Sequence, residues 1–373
     1  MIRFAERTVG PGHPCLVIAE LGTSHQGDLG LARRLIDAAV GAGADCIKFQ
    51  LVYADEILHP RSGLVDLPTG KVALYEQFKA MERPVDFYAA LKAHTESAGA
   101  LFLCSPFGIR SARELASLGV GALKIASPEL NHFPLLREIA GYDLPLFLSS
   151  GVSTLGDIER ALLITGRRRS LLMHCITSYP APEEEYNVAV LETLARAFGI
   201  PMGLSDHSLD AVLVPTLAVL HGACAVEKHF TLSRDGTGLD DPIALEPADF
   251  KRMVRAIREA EAEAVAPGKT LAALESSYGT GRLSAVVGNG IKELAAAERP
   301  NYGRTNRSLH ALRAIPAGSV ITAADVGVLR TEKVLRPGLA PEHWDTVVGA
   351  VAQRSVPDGE GIEWADVILH QHR

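Results

Sequence analysis

No apolar run in this chain approaches the ~20 residues that a helix needs to cross a bilayer. The opening residues, MIRFAERTVG, also lack the apolar core of a signal peptide. Neither a membrane span nor export is expected, so the chain is assigned to the cytoplasm. Cysteine is scarce, odd in number and unclustered: the chain has five. Cys15, Cys46, Cys104 and Cys175 fall inside strand-like apolar runs, where a free thiol serves as a small buried hydrophobe, so a disulfide framework is not expected. Positive charge is in deficit. A formal net charge of -7 and the lack of a basic stripe with interleaved aromatics argue against a nucleic-acid partner. The one basic run, Arg167-Arg168-Arg169, reads as a solvated turn. There is no internal repeat at a solenoid period and no low-complexity tract.

What the chain does have is length and a regular alternation. Eight short apolar runs (CLVIAE, CIKFQ, LFLCSPF, ALKIAS, LFLSSG, LLMHCIT, MGLSDH and AVEKHF) each end in a polar or ionisable residue and precede a helix-patterned stretch. Strands buried on both faces read as near-continuous apolar runs, and catalytic groups of a (β/α)8 TIM barrel sit where its strands end. A barrel takes roughly 250 residues, which leaves enough of the 373 for a second module. The expected division is a barrel over 1–285, a linker over 286–305 and a small, mostly β domain over 306–373. The last shows short strand-like pieces separated by turns. The segment from Asp55 to Pro84 is long for a barrel loop and would lie on the active face as a candidate lid. The stretch after the eighth helix pattern, beginning APGKTLAALE, reads as a connector with a short helix.

His207 and His229 end consecutive strands. Neighbouring strands lie about 5 Å apart, so both imidazoles can converge at the barrel mouth. Two neutral imidazoles with open positions suit a divalent transition metal such as manganese or zinc; the alternative is a pair of satisfied core histidines. Glu227 shares its strand parity with His229 and could be a third ligand or a supporting carboxylate. Lys48 and Lys124 end the second and fourth strands. Buried lysines need an anion, either Glu20 or Glu129 as an ion pair or a bound phosphate or carboxylate. Ser105, Ser127, Ser149, Ser150, Thr177 and Ser205 surround the same rim, a combination that fits a small phosphorylated acid. Glu20 and Glu129 are candidate acid or base groups, with plain salt bridges as the alternative. Asp240 and Asp241 belong to either a solvated loop or a sugar site, and His25 to either the surface or the substrate. His174 reads as core.

Taken together, IAELGTSHQGDLGLARRLIDAAVGAGADCIKFQ, SPFG, LKIASPELNHFPLL, LSSGVST, LMHCITSYPAP, GLSDHS and GACAVEKHFTLSRDGTGLDD resemble the successive motifs of the sialic acid synthases. The tail NRSLHALRAIPAGSVITAADVGVLR, with RPGLAP, resembles that family's C-terminal antifreeze-like (SAF) domain. The resemblance implies an enzyme that condenses phosphoenolpyruvate with the open-chain aldehyde of an N-acylated amino sugar, giving a nine-carbon 2-keto acid and phosphate. It matches His207 and His229 to ligands of manganese, with magnesium or cobalt as alternatives. It matches Lys48, Ser105, Lys124, Ser127, Ser149, Thr177 and Ser205 to the phosphoenolpyruvate site, and Glu20, Gln50, Glu129, Tyr179 and Asp240 to catalytic or sugar positions. Within these, Glu20 and Glu129 are the catalytic candidates. It places Arg307 on the arginine that the small domain sends into a partner's active site in a domain-swapped homodimer.

Departures from the family pattern cluster at the sugar side: Ser24-His25-Gln26-Gly27, Asp240-Asp241 with Ala244, and Asn306-Arg307-Ser308. They leave the acceptor open between N-acetylmannosamine and a deoxy or diacylamino sugar. Rival readings are another phosphoenolpyruvate-dependent aldol synthase acting on a sugar phosphate and a metal-dependent aldolase or isomerase. A non-enzymatic carbohydrate- or ice-binding protein is the third. SVITAADVGV is too short and irregular for an ice-binding face, and strand-end histidines and lysines have no use there.

Overall fold

The structure is a computed structural model that describes residues 1–67, 70–262, 268–332 and 334–368. The last five residues of the expected C-terminal domain, and Pro68 and Thr69 of the candidate lid, lie outside the described residues.

Eight parallel strands close into a barrel: β1 (Leu16–Glu20), β2 (Cys46–Leu51), β3 (Leu101–Pro106), β4 (Leu123–Ile125), β5 (Leu146–Ser149), β6 (Ser170–Cys175), β7 (Met202–Asp206) and β8 (Ala223–His229). They are the eight apolar runs in order. Helices with apolar inner faces cover the outside, for example Leu29–Gly41 with Leu35, Ile36 and Ala39 buried and Val190–Phe198 with Leu191 and Leu194 buried.

Side chains alternate across a strand, which divides each run into an outer set and an inner set. The outer set packs against the helices in the largest apolar cluster. The inner set starts apolar and turns polar toward the strand end. Leu16 and Ile18 precede Glu20, Cys46 precedes Lys48 and Gln50, Leu103 precedes Ser105, Phe147 precedes Ser149, and Ala225 precedes Glu227 and His229. An N-terminal hairpin (Ile2–Phe4 and Arg7–Val9) plugs the bottom, with Phe4 against Phe147 at 5.7 Å between ring centroids. Gly203 belongs to this interior: a Cβ there would come within 2.5 Å of Met173 Sδ.

The same alternation separates Asp206 and Lys228 from the site. They pair with each other at 2.6 Å, both fully buried, while their neighbours Ser205, Glu227 and His229 line the cavity. All five cysteines are buried and free.

The Asp55 to Pro84 segment is folded: two short 3-10 turns, a hairpin (Val65–Leu67 and Gly70–Val72) and a helix (Leu74–Met81). The connector holds more structure than one short helix, with helices at Lys269–Tyr278 and Thr280–Val287. Beyond it, β9 (Arg307–Ala311) pairs with β10 (Val326–Arg330) and β11 (Val351–Ala352) with β12 (Val367–Ile368), both antiparallel, around a separate apolar core. This small domain sits on the barrel mouth of the same chain. The Arg330 amide donates to the Ile57 carbonyl at 2.9 Å, and His59 lies 3.1 Å from Asp358. No helix among the described residues is long and apolar enough to cross a membrane.

Candidate active site at the strand ends

Where the inner side chains turn polar, they surround a cavity of about 420 Å3. Of the predicted residues, Lys48, Gln50, Lys124, Ser127, Ser149, Thr177, Tyr179, Ser205, His207, His229 and Asp240 line it. Glu20, Ser105, Glu129 and Arg307 stand one layer behind. A larger groove of about 590 Å3 lies among Val212, Arg255, Lys269 and Tyr278, remote from every strand end, and carries none of this chemistry.

The floor is a charge lattice. Register places Glu20 opposite both Lys48 and His229, and Ser205 opposite Glu227. Lys48 pairs with Glu20, whose other oxygen accepts from Gln50 at 2.7 Å. Glu227 lies 3.2 Å from Lys48 and 3.7 Å from Lys124, and Lys124 donates to Ser149 Oγ at 2.6 Å. Lys48 thus takes the Glu20 partner expected of an ion pair, but Lys124 pairs with Glu227 and not with Glu129.

Burial opposes every one of these charges, and proximity decides each outcome. For Glu227 burial pushes the carboxyl up, but Lys124 and Lys48 override it and hold it at about 2. Burial would lower Lys48, and Glu20 and Glu227 instead raise it above the ordinary lysine value. Lys124, with a single carboxylate near, is lowered by burial. Two ammonium groups are therefore matched by two carboxylates, and three buried polar atoms beside them, Ser105 Oγ, Thr177 Oγ1 and Glu227 Oε2, have no hydrogen-bond partner among the described residues. Leaving such an atom unpaired costs about 1–3 kcal/mol, which for the cavity-lining Thr177 and Glu227 fits groups that complete their bonds with a ligand.

The two imidazoles meet beside this lattice, 5.5 Å between ring centroids, with Tyr179 stacked on His207 at 4.2 Å. His207 Nδ1 lies 2.8 Å from the Ile176 carbonyl. A carbonyl only accepts, so Nδ1 carries the proton and Nε2 keeps its lone pair. Burial lowers both histidines, His229 to about 3, so both are neutral. Asp240 Oδ2 is 3.8 Å from His229 Nδ1, and burial raises its carboxyl to about 6. Asp241 is turned away, accepting from Ser24 and from the Gly238 amide at 2.7 Å, and so anchors the loop. Neutral imidazoles side by side, with the unpartnered Glu227 oxygen on the same strand as His229, fit a divalent cation. Among the described residues no group of three or more His, Cys, Asp or Glu forms a complete ligand set, so water or substrate would supply the remaining positions.

Arg307 and Glu129 are two of the predicted residues outside the cavity lining. The Arg307 side chain is fully buried, donating to Glu129 Oε1 at 2.8 Å and to the Phe107 and Val328 carbonyls at 2.9 and 3.2 Å, and burial lowers its pKa to about 10. The arginine at the cavity wall is Arg330, on the adjacent strand, which also reaches Glu129 Oε1, at 2.7 Å. Register explains the exchange: Arg307 is paired directly with Arg330 across the hairpin. Glu129 takes both guanidinium groups on Oε1, which ties the small domain to the barrel, while its Oε2 has no hydrogen-bond partner among the described residues.

Glu298 of the connector was not legible in the sequence. It is fully buried and accepts from the Val152 and Thr177 amides, both at 2.7 Å, tying the ends of β5 and β6 together. His25 is buried against Phe49 and Phe87, and burial lowers its pKa to about 4. His174 is core, bonded through Nε2 to the Tyr186 carbonyl at 2.7 Å.

A closed parallel barrel whose polar strand ends bring two lysines, a fringe of hydroxyls and two neutral imidazoles to one cavity defines a (β/α)8-barrel enzyme acting on a small anionic substrate. Comparison with known proteins gives the particular family. The chain belongs to the NeuB family, which matches residues 35–268, and carries a SAF domain over residues 306–368. It is 34% identical over 373 residues to the spore coat polysaccharide biosynthesis protein SpsE of Bacillus subtilis, covering 98% of this chain and 97% of that one. The crystal structure of SpsE superposes with a TM-score of 0.84 over 99% of each chain at 32% identity. N,N'-diacetyllegionaminic acid synthase of Legionella pneumophila is 32% identical over 369 residues, 96% of each chain. The N-acetylneuraminic acid (sialic acid) synthetase structure from Leptospira borgpetersenii is 30% identical, with a TM-score of 0.64 covering 80% of this chain and 94% of that one.

Proposed function

We propose that the protein condenses phosphoenolpyruvate with the aldehyde of an N-acylated amino sugar, forming a nine-carbon 2-keto acid and releasing phosphate. The observation that carries this reading is the floor: two buried lysines share one ionised carboxylate beside the unpartnered Thr177 hydroxyl and two neutral imidazoles.

In this reading the Lys48 and Lys124 ammonium groups hold the charges of phosphoenolpyruvate, and Ser127, Ser149, Thr177 and Ser205 donate hydrogen bonds to its oxygens. His207 and His229 would hold a divalent ion, proposed as manganese, which supplies Lewis-acid polarisation of the aldehyde. Carbon 3 of phosphoenolpyruvate bonds to the aldehyde carbon, carbon 2 becomes cationic, and water adds there. Collapse to the ketone breaks the bond from carbon 2 to the phosphate oxygen. Glu227 and Glu20, both paired with Lys48, supply a negative field for that cation, with Glu129 as the further candidate through its unpartnered Oε2. Gln50, Tyr179, Asp240 and Arg330 frame the acceptor.

The proposed location is the cytoplasm, where phosphoenolpyruvate is available. The proposed assembly is a homodimer. Exchange of the small domain between copies would preserve the Arg307 and Arg330 contacts with Glu129, since swapping keeps an interface and changes only its owner. A synthase acting on a sugar phosphate is the second reading. Among the described residues only Lys48, Lys124 and Arg330 bring Lys or Arg side chains to the cavity, which leaves little for a second phosphate.

Incubation with phosphoenolpyruvate, manganese and N-acylated amino sugars should release phosphate and form a 2-keto acid in equal amounts. EDTA should stop the reaction and fresh manganese should restore it. Phosphate release that continues unchanged after chelation would remove the metal from the account.

A further inference from the structure

The connector between the barrel and the small domain returns to the barrel mouth and grips the anion side of the cavity from behind. Asn301 and Thr305 line the cavity, whereas Glu298 stands outside its lining. The Glu298 side chain is fully buried, and a single oxygen, Oε1, accepts from both the Val152 and the Thr177 amides at 2.7 Å. Its other oxygen accepts from the Ala295 amide at 3.3 Å. Lys292 and Asn306, on either side of it in sequence, hold the same turn: Lys292 donates to the Ser150 carbonyl at 3.4 Å and Asn306 Nδ2 to the Val152 carbonyl at 3.0 Å.

The turn after β5 needs this grip. Val152 is fully buried with φ 42°, in the left-handed region where a β-branched residue is seldom found. Such a backbone persists only where its surroundings over-determine it, and here Glu298 takes the Val152 amide while Asn306 takes its carbonyl. Beside it, Gly151 is wedged against two hydroxyls of the anion site. A Cβ there would come within 2.0 Å of Thr177 Oγ1 and 2.8 Å of Ser127 Oγ, and the Gly151 amide donates to Ser127 Oγ at 3.0 Å. Turn and hydroxyls therefore form one unit, and the Thr177 hydroxyl in it has no partner among the described residues. We propose, on the basis of the synthase reading, that Glu298 is a positioning residue for phosphoenolpyruvate. Without touching the acid, it locks the Val152 turn to the Thr177 amide and so aims the Thr177 and Ser127 hydroxyls at it.

The test measures phosphoenolpyruvate binding to the full chain by titration calorimetry without acceptor, then the KM for each substrate. Glu298→Ala is expected to weaken phosphoenolpyruvate binding on the order of 10- to 100-fold, the scale of loss from misplacing a group by about 1 Å, while the KM for the sugar changes little. Glu298→Gln keeps an oxygen for both amides and should stay near the wild-type affinity. Glu298→Asp, which keeps the charge but draws the oxygen back, should fall between them and carries the same comparisons if the alanine variant does not fold. Combined with Thr177→Val, which removes the hydroxyl at nearly constant shape, Glu298→Ala should lose less than the product of the two single losses, because both act through one hydroxyl. Loss of the full product in the double variant, or an equal rise in KM for both substrates, would reduce Glu298 to a structural tie and overturn the proposal. Wild-type affinity in Glu298→Ala overturns it too and leaves the synthase reading standing. A wild-type chain that binds no phosphoenolpyruvate removes that reading and the proposal with it.

Discussion

Replacing His207 by alanine is expected to lower kcat on the order of 10^3-fold, from the loss of several kcal/mol of transition-state stabilisation at about 1.36 kcal/mol per tenfold. The physical reason lies in its tautomer. The Ile176 carbonyl fixes the proton on Nδ1 and leaves the Nε2 lone pair for a metal, and burial keeps the ring neutral. Alanine removes that donor and also the surface on which Tyr179 stacks. His229 alone, 5.5 Å away between ring centroids, would hold a cation weakly. Manganese binding, followed by electron paramagnetic resonance, should therefore weaken in step with kcat. A variant that keeps manganese affinity and loses only turnover would mean that His207 acts in some other way, and one with full activity would end the metal assignment.

Lys124→Ala has the second largest expected effect, and it falls on a different quantity. Lys124 is joined to Ser149 Oγ at 2.6 Å and lies 3.7 Å from Glu227. Removing it takes one cation from the anion site and leaves the Glu227 charge facing Lys48 alone. Truncating one member of a buried charge pair costs about 2–5 kcal/mol, which corresponds to an increase in the KM for phosphoenolpyruvate of roughly 30- to 5,000-fold. The KM for the sugar should change little, because the acceptor side of the cavity is built by the lid and the loop after β8. Steady-state kinetics with each substrate varied in turn separates the cases. Equal weakening of both would assign Lys124 to holding up the barrel mouth.

The barrel and the floor were legible because a strand has a period of two. Once the eight apolar runs are recognised, the inner residues of each follow by parity, and Lys48 with Gln50, and Glu227 with His229, necessarily face one space. The same rule explains why the neighbours Asp206 and Lys228 are irrelevant to it. Polar strand ends on the inside have no other neighbours than one another. The sequence was less informative wherever the position of a side chain depends on segments far apart in the chain. Arg307 and Arg330 differ by which of two paired positions on a hairpin reaches the cavity, and only the docking of the small domain on Ile57 and Glu129 decides it. Glu298 lies in a stretch rich in small residues with no periodic signal, and its partners are backbone amides, which carry no side-chain signature. Glu129 reads as a candidate acid or base, and the arginines that pair with it arrive from about 180 to 200 residues away, out of reach of any local pattern.

The apolar lid shows a third kind of limit. Its segment was recognisable as too long for a plain connection, but hydrophobic residues without a clean period do not announce whether they face the helices, the solvent or a ligand. The folded arrangement answers that by placing Val52, Ile57, Val65 and Leu74 in a cluster that also borders the cavity. The apolar wall therefore depends on tertiary placement, whereas the anion site depends on strand register.

The central claim is spatial, and diffraction from a crystal soaked in phosphoenolpyruvate and manganese tests it most directly. The account predicts an anomalous peak beside the imidazoles of His207 and His229, with the phosphate and carboxylate of the acid on Lys48 and Lys124 in the same cavity. Manganese away from that imidazole pair, or phosphoenolpyruvate bound without contact to either lysine, would contradict it.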